Sequence, residues 1–219
     1  GDDVHWLNAV KIFSLEKGIS YTPHEAIKTS IFYGEKTHKD LRDIGKTVEY
    51  ADSYGMGPGM LQAILIREEV YLDLKTCKAL LARRRAAKPL VVQWQRSIQT
   101  EIQASRTLTS SLGDKREFHG RINDTLFRST YAYKPQSTVG RILQLAIQDI
   151  HERVDCVEPL LNVHDECVMQ CLPKDIEKAI REVRPLMERP HEVNGRMLTI
   201  PCSFKTGPNW GDLEEVEDD

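Results

Sequence analysis

Apolar residues recur along the first half of the chain at helical spacing. Leu7, Val10 and Phe13, with Trp6 and Ala9 beside them, place a stripe on a segment from Val4 to Leu15, and Asp2 and Asp3 precede it as capping candidates. Thr22-Pro23 predicts the start of a second, short helix, since proline suits a first turn. A third helix is predicted from Lys39 to about Ala51, and the run Tyr54-Gly55-Met56-Gly57-Pro58-Gly59 breaks it. From Met60 to about Ser110 the pattern is mostly helical, interrupted near Pro89.

The second half changes texture. Arg116 to Ile122 reads as a short strand, and Ser137 to Val154 as a helix with Ile142, Leu145, Ala146, Asp149 and Ile150 in register. Two short apolar runs, Leu160–Val163 and Cys167–Leu172, flank the polar triplet His164-Asp165-Glu166, which is the pattern of a β-hairpin. Pro173 ends it, Lys174 to Glu188 is an amphipathic helix, Ile200 to Phe204 a last strand, and Glu214 to Asp219 an acidic, fraying tail. The expected fold class is α+β: a helical lobe over residues 1–112, then a mixed lobe over 113–219 whose strands share one antiparallel sheet.

Composition narrows the function classes. The 219 residues carry a formal net charge of -3, so nucleic acid can be held only by local basic patches. Five cysteines at irregular spacings suggest free thiols in a reducing compartment. No run approaches the roughly 18 apolar residues of a membrane span, and no signal peptide is visible.

Arg42, Lys46 and Tyr50 are spaced four apart, so on a helix they line one stripe, with Tyr54 following at the same interval. Two cations and a phenol ring suit a nucleotide: the cations neutralise phosphates while the ring covers sugar and base. Taken alone, such a stripe is more often a solvated basic face. The basic cluster Lys78, Arg83, Arg84, Arg85 and Lys88 reads equally as a solvated face or a contact to a template backbone. At the hairpin tip, a turn holds Asp165 rigidly, which suits Mg²⁺, an ion that takes one or two protein carboxylates in near-octahedral geometry. Two-metal phosphoryl transfer needs at least one further carboxylate from elsewhere. Cys167 and Cys171 have no paired ligands nearby and read as hairpin thiols, and Trp94 as a core residue.

The string Arg42-Asp43-Ile44-Gly45-Lys46-Thr47-Val48-Glu49-Tyr50-Ala51-Asp52-Ser53-Tyr54-Gly55 resembles the motif B helix of family-A (polymerase I-type) DNA polymerases, and Val163-His164-Asp165-Glu166 resembles their motif C. The order and approximate spacing of the two also fit that family. The resemblance implies a helical fingers subdomain over 1–112 and the C-terminal part of the palm over 113–219. It implies that Arg42 and Lys46 contact the incoming triphosphate, with Lys46 assisting pyrophosphate departure. Tyr50 would lie against the sugar, and Tyr54-Gly55 at the template base. Asp165 becomes a catalytic ligand to one of two Mg²⁺ ions, Glu166 a neighbour with a lesser catalytic role, and His164 a contact to the primer terminus.

Asp3-Val4-His5 resembles the Asp-Ile-His that opens the fingers, implying that His5 contacts a phosphate. Arg128 and Gln136 fall at the family's primer-template contacts. Leu112-Gly113-Asp114-Lys115-Arg116 resembles a Gly-Arg-Arg-Arg segment with Asp114 replacing the first arginine; Arg141 stands where many members carry aspartate, and Ala132 where many carry asparagine. Gly207-Pro208-Asn209-Trp210 resembles the Gly-x-x-Trp near the family's C-terminal end. No segment resembles motif A, the Asp-Tyr-Ser-x-x-Glu run with the other metal aspartate. The expected partners are therefore primer-template DNA, a dNTP, and a second polypeptide carrying motif A, the thumb and any exonuclease. Gly1 at the start fits a processed terminus or tag remnant.

A single polymerase cleaved or expressed as a fragment is a variant of the same reading, and a non-catalytic nucleotide- or DNA-binding subunit or an inactive fragment is the alternative. Single-subunit RNA polymerases fit less well, since their third motif usually reads His-Asp-Ser and they tend to lack an aromatic where Tyr50 stands. The thiols and the Arg42-Asp43 start of motif B suggest a phage enzyme in a bacterial cytoplasm, with an organellar enzyme as the other setting.

Overall fold

The computed structural model describes residues 4–13 and 38–216. The capping residues Asp2 and Asp3 and the helix expected at Thr22-Pro23 lie outside them. The described chain is α+β, mostly helical with small sheets. It divides into two compact units, one of residues 1–108 and 117–132, the other of 109–116 and 133–219. No described helix is long and apolar enough to cross a membrane.

The first unit is built from α1 (Val4–Phe13), α2 (His38–Ser53), α3 (Pro58–Arg67), α4 (Leu74–Ala87) and α5 (Pro89–Ser105). Its core takes Ala9 and Ile12 from α1, Ile44, Val48 and Ala51 from α2, Leu61 and Leu65 from α3, and Cys77, Leu80 and Leu81 from α4. Those positions recur every three or four residues, so each helix buries one stripe. Proline opens α3 and α5, and the Asp73 carboxylate caps α4 by accepting the Thr76 N–H at 2.7 Å.

The expected helical run from Met60 to Ser110 breaks twice rather than once. Besides the break at Lys88, α3 ends at Arg67 in a Schellman turn: the Val70 N–H reaches the Leu65 carbonyl at 2.8 Å and the Glu69 N–H reaches Ile66 at 3.1 Å. Glu69, at φ 59, fills the left-handed position usually given to glycine, so no punctuating residue announced the break.

Helix α6 (Asp124–Arg153) starts thirteen residues before the predicted Ser137 and contains Pro135. Asn123 caps it, its side-chain oxygen accepting the Leu126 N–H at 3.0 Å. A proline removes one helical hydrogen bond and crowds the carbonyl four residues back. Burial of Thr130, Tyr131 and Thr138 on either side carries the helix through it.

In the second unit, β3 (Glu158–Val163) and β4 (Glu166–Gln170) form the expected antiparallel hairpin. A 3-10 turn (Pro173–Asp175) leads into α7 (Ile176–Met187). Ile150, Val154 and Val183 are buried with Met169, Leu186 and Phe204 packed on them, and the Arg184 guanidinium lies 4.7 Å over the Phe204 ring.

The single antiparallel sheet expected for the mixed lobe is not what forms. Among the described residues the strands make four separate two-stranded ribbons: β1 (Thr107–Thr109) with β2 (Lys115–Glu117), β3 with β4, β5 (His191–Val193) with β6 (Arg196–Leu198), and β7 (Lys205–Thr206) with β8 (Glu214–Glu215). Local turns dictate most of these pairings. Asn194-Gly195, both at positive φ, closes β5 onto β6 as a tight hairpin turn requires. The strand predicted at 116–122 is only β2, because the chain turns at Gly120, φ 96. The strand predicted at 200–204 is irregular, and pairing begins at Lys205, opposite part of the supposedly frayed tail.

Candidate functional site

In the first unit the sequence-predicted candidates lie on the outer stripe of α2. Burial of Ile44, Val48 and Ala51 turns Lys46 and Tyr50 outward, with Arg42 half-buried on the same side. Helix α1 seats closely because position 45 has no side chain: a Cβ there would lie 3.0 Å from the Ala9 Cβ. That approach sets the His5 ring 6.0 Å from the Tyr50 ring, so two residues 45 positions apart in sequence meet on one surface. Arg42 lies 3.4 Å from its neighbour Asp43. Lys46 is exposed and makes no ion pair among the described residues.

Tyr54-Gly55 lies just past the end of α2. Gly55, at φ 71, terminates the helix in a second Schellman turn, with Met56 N–H to the Ala51 carbonyl at 2.7 Å and Gly55 N–H to Asp52 at 2.9 Å. Gln95 donates from its amide to the Asp52 and Ser53 carbonyls at 2.6 and 3.2 Å. The buried Tyr131 ring lies against Gly55. It stacks on Phe127 at 6.4 Å, tilts toward the half-buried Trp94 at 6.2 Å, and its hydroxyl receives the Gln99 amide. Arg128, one turn before Tyr131, donates to the Thr125 hydroxyl at 2.9 Å.

The inner side of α2 carries an ionic cluster that neither sequence reading of the basic run anticipated. Arg84 is 1% exposed. Its Nη1 meets Asp52, itself wholly buried, at 2.9 Å, and its Nη2 and Nε grip both Glu49 oxygens at 2.7 and 3.1 Å. Arg85 adds a bond to Asp52 at 2.6 Å and Lys88 one to Glu49 at 2.9 Å. Burial pushes the Glu49 carboxyl up, but the hydrogen bonds and charges of Arg84 and Lys88 outweigh it and hold the group below its ordinary 4.5. Arg84, Arg85 and Lys88 therefore face carboxylates of α2. The only advance signal was that Glu49 and Asp52 share one helical face.

In the second unit the hairpin presents the other candidates. Val163 pairs with Glu166, leaving a two-residue turn of His164 and Asp165. His164 sits at φ 58, and His164, Asp165 and Glu166 are all exposed. Among the described residues Asp165 has no hydrogen bond or ion pair, and no cluster of three His, Cys, Asp or Glu side chains is arranged to hold a metal. A lone carboxylate on a short turn fits Mg²⁺ as one ligand among waters and phosphate oxygens. Gln136 is exposed on α6. Asp114 and Arg141, the two positions of unexpected charge, face each other at 3.9 Å. All five thiols are free; Cys167 and Cys171 lie in or beside β4, and burial raises both.

The family model of DNA polymerase family A matches residues 19–212. The fold is similar to that of the POL domain of Pol1 from M. smegmatis, solved in complex with DNA primer-template and dNTP. The TM-score is 0.67 at 18% identity, over 88% of this chain and 32% of that one, so the chain spans about a third of that protein's length. No curated protein matches the chain in sequence.

Proposed function

The chain belongs to DNA polymerase family A, and on that premise we propose that it performs template-directed DNA synthesis, adding dNTPs to a primer 3′-OH as the fingers and C-terminal palm of a polymerase whose motif A and thumb lie on another polypeptide. Residues 1–112 act as the fingers and 113–219 as the palm portion. The observation that carries this most is the exposed stripe of α2, where Lys46 and Tyr50 face outward on a helix fixed by a buried core.

Arg42 and Lys46 bind the triphosphate, His5 beside Tyr50 takes a phosphate, and Lys46 neutralises the departing pyrophosphate. Tyr54, Gly55 and Arg128 position the template and primer strands, and His164 and Gln136 contact the primer side. Asp165 is a metal ligand, with Glu166 beside it. Asp165 and a partner carboxylate would hold Mg²⁺, which when bound would activate the primer hydroxyl and neutralise phosphate charge. The DNA and dNTP in the similar Pol1 complex support the same substrates here. The free thiols support a reducing cytoplasm, and a phage polymerase in a bacterial host is the setting we favour.

A primer-extension assay with Mg²⁺ and dNTPs, on the chain alone and with the protein that copurifies with it, tests this function. Extension with the partner only is the expected result. Extension by the chain alone would overturn the shared site, and none by a complex containing motif A would favour a non-catalytic subunit.

Tyr50 gives a finer prediction. Tyr50 is exposed, and its hydroxyl can replace the missing 3′-OH of a dideoxynucleotide, so Tyr50→Phe is expected to lower ddNTP incorporation relative to dNTP by about tenfold, the worth of one hydrogen bond once the site closes. Ratios of kcat/KM for the two substrates check it; an unchanged ratio counts against the role.

A further inference from the structure

Glu49 follows Lys46 by three residues on α2, the spacing at which a helical carboxylate and ammonium are neighbours. Yet both Glu49 oxygens belong to Arg84, with Lys88 adding a third bond at 2.9 Å. Lys46 stays exposed without an ion pair among the described residues. Arg84 is also a poor device for mere adhesion. Burying a guanidinium carries a desolvation penalty, and an apolar side chain of similar volume often packs two helices at least as well. What an apolar residue cannot do is occupy a carboxylate.

The geometry points to Arg84, assisted by Lys88, as a positioning residue for nucleotide binding: by holding Glu49 against α4 it keeps Lys46 unneutralised and keeps a negative charge away from the incoming triphosphate. This rests on Lys46 being a triphosphate ligand. Asp52, bound by both Arg84 and Arg85, anchors the guanidinium so that its remaining nitrogens face Glu49.

The prediction separates charge from packing. Calorimetry on the full 219-residue chain, with tripolyphosphate and with dNTP in Mg²⁺, compares wild type, Arg84→Met, Arg84→Met/Glu49→Gln and Lys46→Met. Arg84→Met is expected to weaken tripolyphosphate binding about five- to tenfold, the scale of one added unit charge within a helical turn of the phosphates. Adding Glu49→Gln should restore it, although the Arg84 side chain is still missing. Thermal melts of the same variants record folding separately. Should Arg84→Met fail to fold, Lys88→Met strips only the half-exposed part of the Glu49 pairing, and a weakening again reversed by Glu49→Gln supports the assignment. Wild-type binding in the Arg84→Met or Lys88→Met variant, or a loss that Glu49→Gln does not reverse, would overturn it. If wild type binds but Lys46→Met binds equally well, or if wild type does not bind at all, the reading of Lys46 falls and takes this inference with it.

Discussion

If the proposed assembly with a motif A partner holds, alanine at position 165 is expected to lower its primer extension about 1,000-fold while leaving the fold of this chain in place. Removing a metal ligand forfeits several kcal/mol of transition-state stabilisation, and each 1.36 kcal/mol is tenfold in rate. Stability is spared because Asp165 is exposed and makes no hydrogen bond or ion pair among the described residues. Asp165→Asn keeps the shape of the side chain and loses its charge, so it should be nearly as slow. Single-turnover extension rates beside thermal melts separate the two effects. A variant that keeps a tenth of the wild-type rate would remove Asp165 from the metal site.

The largest expected effect on stability comes from Gly55→Ala, at about 2–5 kcal/mol. The residue lies at φ 71, where a side chain costs roughly 1–2 kcal/mol. The new Cβ would also stand 2.6 Å from the Tyr131 Cε2 and 2.9 Å from its Cδ2. That ring cannot easily step aside: it is 5% exposed, stacked on Phe127 and held through its hydroxyl by Gln99. Overpacking of this kind adds about 1–3 kcal/mol. Urea melts of Gly55→Ala alone and in a Tyr131→Ala background divide the cost, since only the backbone share should survive in the second. A loss below about 1 kcal/mol in the single variant would show that the ring yields.

Local signals explain what could be read in advance. The helix carrying Arg42, Lys46 and Tyr50 was legible because its apolar positions recur at 44, 48 and 51 and glycine stands just past its end. The hairpin was legible because two apolar runs flank a polar triplet. Misreadings arose where distant packing overrode a local cue. The helix predicted from Ser137 begins at Asp124 and runs through Pro135, with buried residues on either side of the proline. Arg84 sits in a basic run that reads as a solvated face or a template contact, whereas its partners lie 32 and 35 residues earlier on another helix. Asn194-Gly195 is different: its hairpin signal was present in the sequence and was missed.

The hairpin tip sets two selective pressures against each other. A φ of 58 at His164, the first position of a two-residue loop, is a conformation that glycine or asparagine adopts with less strain. Glycine there should make the hairpin more stable, and valine less, whatever either does to the primer terminus. A library screened only for heat resistance would drift toward glycine at 164 and discard the imidazole that DNA synthesis is proposed to use. Screened for extension, the same library would keep the strained residue if the proposed role of His164 holds, so thermal hardening of this chain would then have to be sought away from the hairpin tip.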